Sequence, residues 1–309
     1  MKTKTSRIQS RILLALVSVA ALAASSIVAQ TTETRYSLDT AKLVGTSGAN
    51  TYVFYTGAIG GASLAKSGDN LAFTLNVNNP GTYNYGLMAA HFDAVSLKQI
   101  GASITLDYAI TVSSNSSTHF LFREDQNTPF RVGLFDSSAS THITGNNQYM
   151  TWSGFQNYTG YSATYAGRAE KTTYNPLKIR PANTDSNLFG GMTNIGSNYS
   201  TGRLGTSAGV TDFTGIFKLE RISDTEIRIT SKVNNDTEVS TIVSSSLIEN
   251  FDTFGIAGFA GSDDSVLTFT KLNVIAVIPA AVPEPGTWAL FGGTLVLLAT
   301  FALRRARRR

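Results

Sequence analysis

Residues 213–243 read FTGIFKLERISDTEIRITSKVNNDTEVSTIV. Phe217 and Leu219 sit two apart, as do Ile227 and Ile229, and Val233 continues the second row. Side chains two apart on an extended chain share a face, so each set makes one apolar row. Ser223-Asp224-Thr225 and Asn234-Asn235-Asp236 interrupt the rows, and 238–243 resumes them. Ser, Asp and Asn close such bends by hydrogen-bonding to nearby backbone. The spacing predicts a meander of antiparallel strands.

The same alternation extends outward. A strand is expected at about 253–259, and a last one at 266–277, apolar on both faces in its second half. Upstream, Leu71, Phe73, Leu75 and Val77 form one row, and Ile104, Leu106, Tyr108, Ile110 and Val112 another. Phe130, Val132 and Leu134 form a third, and Asn78-Asn79-Pro80-Gly81 is a turn signal. No stretch of the body keeps a 3.6-residue period over three turns, although 245–250 is compatible with one short helical turn. No repeat of 20–50 residue period is present. Many short strands joined by Gly, Asn and Ser turns predict two packed sheets.

The order near the end, a hairpin, a short linker, Phe251-Asp252-Thr253-Phe254-Gly255-Ile256 and a closing strand, resembles the concanavalin A-like (laminin-G-like) jelly roll. The resemblance covers roughly 60–277. It implies an all-β, antiparallel two-sheet jelly-roll sandwich, with a concave glycan-binding face in many relatives.

The ends read as addresses. Lys2, Lys4, Arg7 and Arg11 precede an apolar run at 12–22, then small residues up to Ala29. The run is too short to span a bilayer comfortably, so 1–29 reads as a cleaved signal peptide rather than an anchor. At the other end, Pro283-Glu284-Pro285 forbids regular structure just before the apolar stretch 287–303. That stretch is barely long enough to cross ~30 Å of hydrocarbon as a transmembrane helix. Arg304, Arg305, Arg307, Arg308 and Arg309 hold its end on the cytoplasmic side. These three parts resemble the PEP-CTERM sorting signal of Gram-negative bacteria. The resemblance implies recognition by an exosortase at Pro283, Glu284 and Pro285, removal of the tail, and display or release at the cell surface, often beside exopolysaccharide. A plain membrane anchor is the blander reading. The expected division is 1–29, a body at 30–280 with a long aromatic- and Asn/Gly-rich loop region at about 137–210, and 281–309.

The formal charge of +4 belongs to these ends. Without the nine basic residues named above, and without Glu284, the body holds sixteen basic and twenty acidic residues, so it is net acidic. A basic patch for nucleic acid is therefore not expected. With no cysteine, disulfides, thiolate metal sites and a Cys nucleophile are excluded.

Catalytic signatures are sparse. A glycoside hydrolase needs two carboxylates ~5–9.5 Å apart. Glu124-Asp125, Asp224 with Glu226, and Asp263-Asp264 all read as solvated turn charges. No Gly-x-Ser-x-Gly elbow or phosphate-binding Walker loop occurs. His91, His119 and His142 show no close ligand spacing and read as strand or loop residues. No cofactor is expected, with Asp263 and Asp264 kept as weak calcium candidates. Tyr149, Trp152, Phe155, Tyr158 and Tyr161 recur every third residue among Asn, Gln and Gly. Such rings either stack on sugar rings or cap the sandwich with apolar area.

The expected protein is thus exported across the inner membrane, with signal peptidase and exosortase as processing partners. It is expected to be a non-catalytic, glycan-associating or adhesive sandwich with a polysaccharide partner. Two alternatives stand beside this: a polysaccharide hydrolase or lyase on the same fold, and a structural surface protein without a specific ligand.

Overall fold

The computed structural model describes residues 30–38, 42–43, 52–57, 62–75, 84–114, 130–140, 142–143, 154–165, 176–196, 212–234, 238–260, 265–280 and 304–305. Its strands are β1 (Gln30–Tyr36), β2 (Lys42–Leu43), β3 (Tyr52–Gly57), β4 (Ala62–Ser67), β5 (Asn70–Leu75), β6 (Asn84–Ser96), β7 (Ser103–Ser114) and β8 (Phe130–Asp136). They continue as β9 (Thr159–Tyr165), β10 (Leu177–Arg180), β11 (Thr193–Asn194), β12 (Asp212–Ser223), β13 (Glu226–Val233), β14 (Val239–Val243), β15 (Asn250–Ala260) and β16 (Ser265–Pro279). Thr32–Ile278 forms one compact unit, and 1–31 with 279–309 a second.

The strands make two sheets. The first runs β14-β13-β12-β7-β16-β5-β4, with β1 also on β16, and the second runs β11-β10-β9-β8-β15-β6-β3-β2. Among the registered pairs, β2 with β3 is parallel, and the remainder are antiparallel. This is the expected all-β two-sheet sandwich. The opening meander is β12, β13 and β14, with Leu219 opposite Ile229 and Ile229 opposite Thr241.

The alternating rows close the space between the sheets. Leu71, Phe73 and Leu75, Ile104, Leu106 and Ile110, and Phe217 and Leu219 are buried from the first sheet. Met88, Ala90, Val132, Leu134, Phe254 and Ile256 are buried from the second, all in one cluster. Gly215 lies opposite Tyr108, and a Cβ there would fall 2.3 Å from the ring. Tyr165 hydrogen-bonds Ser231 at 2.5 Å within this core.

Two expectations are corrected. No helical turn forms at 245–250. Ser246 adopts φ 52°, the Ile248 N–H donates to the Tyr161 hydroxyl, and Glu249 pairs with Arg221 at 2.8 Å. The region about 137–210 is also more than loop, because β9, β10 and β11 lie in it and extend the second sheet. The expected signal peptide and transmembrane segment lie outside the described residues; of the arginines that follow, Arg304 and Arg305 are described, helical and exposed. Among the described residues, no helix is long and apolar enough to cross a membrane.

The second sheet is buried on both faces. On its outer face Leu87, Ala89, Phe135 and Ala257 meet Ile143, Phe155, Tyr158, Leu188 and Phe189 in a separate apolar cluster. Glycine makes the floor under this roof. Gly133 and Gly255 pair across β8 and β15, and Cβ atoms there would come within 2.6 Å of Phe135 and 2.5 Å of Leu188. Arg180 holds the roof down. Its side chain is fully buried, and its Nε donates to Tyr158 O, Nη1 to Asn187 O and Gly190 O, and Nη2 to Phe155 O and Asp185 O. All five guanidinium N–H groups thus meet a carbonyl. Asn183, Asp185 and Asn187 shape the loop beneath by accepting from the N–H two residues on.

Replacing Arg180 with Met keeps the bulk and strands those carbonyls. At about 1–3 kcal/mol for a buried unsatisfied group, the loss should be at least ~3 kcal/mol. Equilibrium denaturant unfolding measures it, and Arg180→Lys, with three donors, should not restore the wild-type midpoint.

Candidate functional site

A polar cluster sits at the end of β8, beside the roof. Between the pairs Val95↔Phe251 and His91↔Thr253 the register shifts, with more of β6 than of β15 in the interval. Such bulges re-aim side chains. Thr253 pairs with both His91 and Phe135, which brings β6, β15 and β8 to one point. The segment after β8 adds Ser137 and His142.

Asp252 is the hub. Its Oδ1 accepts from the Ser137 N–H at 3.0 Å and from the Thr253 hydroxyl at 2.8 Å. Its Oδ2 accepts from the Ser137 hydroxyl at 2.7 Å and faces His142 Nε2 at 3.3 Å. The His91 and His142 rings stack at 4.0 Å, 11° from parallel. His91 is buried, whereas the side chain of His142 is 51% exposed. Tyr158 closes the inner side, in hydrogen-bond contact with the Ile143 backbone and Ser137, and burial pushes its hydroxyl well above the ordinary range.

The hydrogen bonds fix a tautomer. A carboxylate only accepts, so the single Thr253 hydroxyl proton points at Asp252. His91 Nδ1 lies 2.7 Å from the same Thr253 oxygen and must therefore carry its own proton. Burial, then the neighbouring His142, pushes His91 down to about 4, so its imidazole is neutral at physiological pH with its lone pair on Nε2. His91, His142 and Asp252 place one ligand atom each within 4.8 Å of one another. Ser137 is buried and donates to Asp252 rather than to a histidine, so the group is not a nucleophilic triad.

The sequence-expected residues distribute differently. Phe155, Tyr158 and Tyr161 are 2%, 0% and 0% exposed. Phe155 and Tyr158 belong to the roof cluster and Tyr161 to the main core, so these three rings are packing rather than contact surface. Tyr149 and Trp152, Asp263 and Asp264, Glu124 and Asp125, His119, and Pro283, Glu284 and Pro285 lie outside the described residues. Asp224 and Glu226 flank the β12–β13 turn, where the Ser223 hydroxyl donates to Glu226, as expected of turn charges. The His–Asp cluster had no sequence signal. His142 and Asp252 are 110 positions apart and His91 and Thr253 162 apart, so only the register assembles them.

Residues 281–309 match the PEP-CTERM protein-sorting motif. The motif indicates an exported protein, anchored in the membrane before exosortase processing. No curated protein matches the chain. Among solved structures, the chain is similar to the basic winged bean lectin with Tn-antigen, at 8% identity and TM-score 0.42, over 82% of this chain and 100% of that one. It is similar to the VIP36 exoplasmic/lumenal domain in its Ca2+/Man3GlcNAc-bound form, at 9% identity and TM-score 0.41, over 76% and 88%. A lectin from Bauhinia forficata in complex with GalNAc shows 9% identity and TM-score 0.39, over 81% and 99%.

The depressed His91 value makes stability pH-dependent. The unfolded chain takes up this proton near 6.5 and the folded chain only near 4. The contribution is therefore complete above pH 6.5 and is lost as pH falls toward 4, by roughly 3 kcal/mol. Chemical denaturation across that window should show the loss in metal-free protein, and His91→Gln should remove it.

Proposed function

We propose that this chain is an exported surface protein whose sandwich is a non-catalytic, glycan-associating module, tethered by its tail until an exosortase acts at Pro283, Glu284 and Pro285. The leader at 1–29 directs export, and Arg304 and Arg305 belong to the cytoplasmic stop. The supporting observation is the roof on the second sheet. Tyr149 and Trp152 fall in the stretch 144–153, and Ile143 just before it and Phe155 two residues after it are buried in one apolar cluster. That cluster adjoins Asp252 and the half-exposed His142. Ring faces beside hydroxyl-bonding polar groups suit a sugar.

The hydrolase alternative is disfavoured by the hub carboxylate. A general acid must carry a proton to give, whereas Asp252 accepts from Ser137 N–H, the Ser137 hydroxyl and Thr253.

Full-length protein on a glycan array or in polysaccharide pull-down should be retained. Trp152→Ala should weaken retention about tenfold, at the upper end of what one aromatic contact is worth. Absent retention, or retention indifferent to Trp152→Ala and Tyr149→Ala, would leave the structural-protein reading instead. For sorting, deleting 282–309 should release the precursor from the membrane fraction. Persistence of uncleaved tail in an exosortase-bearing host would contradict the processing step.

A further inference from the structure

We propose that His91, His142 and Asp252 form a binding site for one borderline divalent transition-metal ion of the zinc class, and that the ion clamps the segment after β8 onto the second sheet. The proposal does not rest on glycan association.

The first argument is the ligand set. Two imidazole nitrogens and one carboxylate oxygen suit zinc-class ions, whereas calcium and magnesium take oxygen donors. The second is the proton arrangement. Nδ1–H of His91 is held by Thr253, whose own proton goes to Asp252. A metal-binding histidine characteristically donates its second ring N–H to such a partner, which orients the ring.

The third argument is distance. His142 Nε2 and Asp252 Oδ2 are 3.3 Å apart, long for a charge-assisted hydrogen bond. Metal–ligand bonds of ~2.0–2.2 Å at tetrahedral angles put neighbouring ligand atoms about 3.3 Å apart. The remaining separations reach 4.8 Å and must shorten. Closing these separations requires one ring to move. His142 can do so because half of its side chain faces solvent. Asp252 keeps its bonds to Ser137 and Thr253, which would orient it as a ligand. Three protein ligands leave a fourth position on the exposed side, for water or for an oxygen of a bound molecule.

The three ligands come from β6, from β15 and from the segment after β8, so the ion would cross-link parts of the chain distant in sequence. The neighbouring Ile143 packs into the roof, so the clamp and the apolar cluster would reinforce each other.

The test uses the full chain, extracted in detergent without a histidine tag and stripped with a chelator. Zinc is titrated against a chromogenic chelator, and cobalt is added separately for its visible spectrum. One ion per chain is expected, with the intense cobalt bands of a four-coordinate site. His142→Ala should weaken zinc binding by at least about 100-fold and abolish the bands. The melting temperature of its metal-free form should match wild type, because the ring it loses is half exposed. His142→Cys, which restores a ligand, should recover binding and shift the cobalt bands by adding a thiolate. Sub-stoichiometric zinc, His142→Ala binding as tightly as wild type, or calcium displacing zinc at equal concentration would each overturn the proposal.

Discussion

The guanidinium of Arg180 inside its cage of carbonyls is the contact on which the second sheet's outer face depends. Loops rarely cover a sheet tightly, because their backbone carbonyls lose water without gaining the partners that a strand ladder supplies. Here one side chain supplies five donors to Phe155, Tyr158, Asp185, Asn187 and Gly190. Two stretches, 154–158 and 185–190, are therefore fixed to the same point on β10. With them fixed, Leu188 and Phe189 can lie on Gly255, and Tyr158 can close the inner side of the His–Asp cluster.

This roof also explains which parts of the fold were legible in the sequence. β5, β7 and β12 show strict alternation because they pair one core face with one more exposed face. β6 gave no such signal. Met88 and Ala90 enter the main core while Leu87 and Ala89 enter the roof cluster, so consecutive residues are all buried. The aromatic series at every third residue straddles a boundary. Tyr158 precedes β9 and faces the roof, and Tyr161, within β9, faces between the sheets. The spacing suited no single surface because the residues serve two cores. Arg180 was opaque for a different reason. One arginine in a polar stretch looks solvated, and only the fold shows five carbonyls converging on it.

The candidate site was hidden by sequence distance. Each histidine alone reads as an ordinary strand or loop residue, and Asp252 sits between phenylalanines in Phe251-Asp252-Thr253-Phe254. The register shift between β6 and β15 and the segment following β8 bring them together. The ends behaved oppositely. The C-terminal motif was readable from composition and order alone, because a sorting signal must be recognised as a linear segment. The basic charge of the chain follows from these ends, and the sandwich between them is mildly acidic.

Hydrogen–deuterium exchange on the full-length protein tests the central claim most directly, namely that a rigid, Arg180-locked roof covers the second sheet beside the His–Asp cluster. The amides of Asn157, Tyr158 and Gly190 donate to Asn183, Phe155 and Asn187 beneath that roof. They should exchange as slowly as those of β8 and β15, through global unfolding rather than local opening. Exchange of these amides within seconds, while β8 and β15 stay protected, would show a loose loop in place of the roof and would contradict the account.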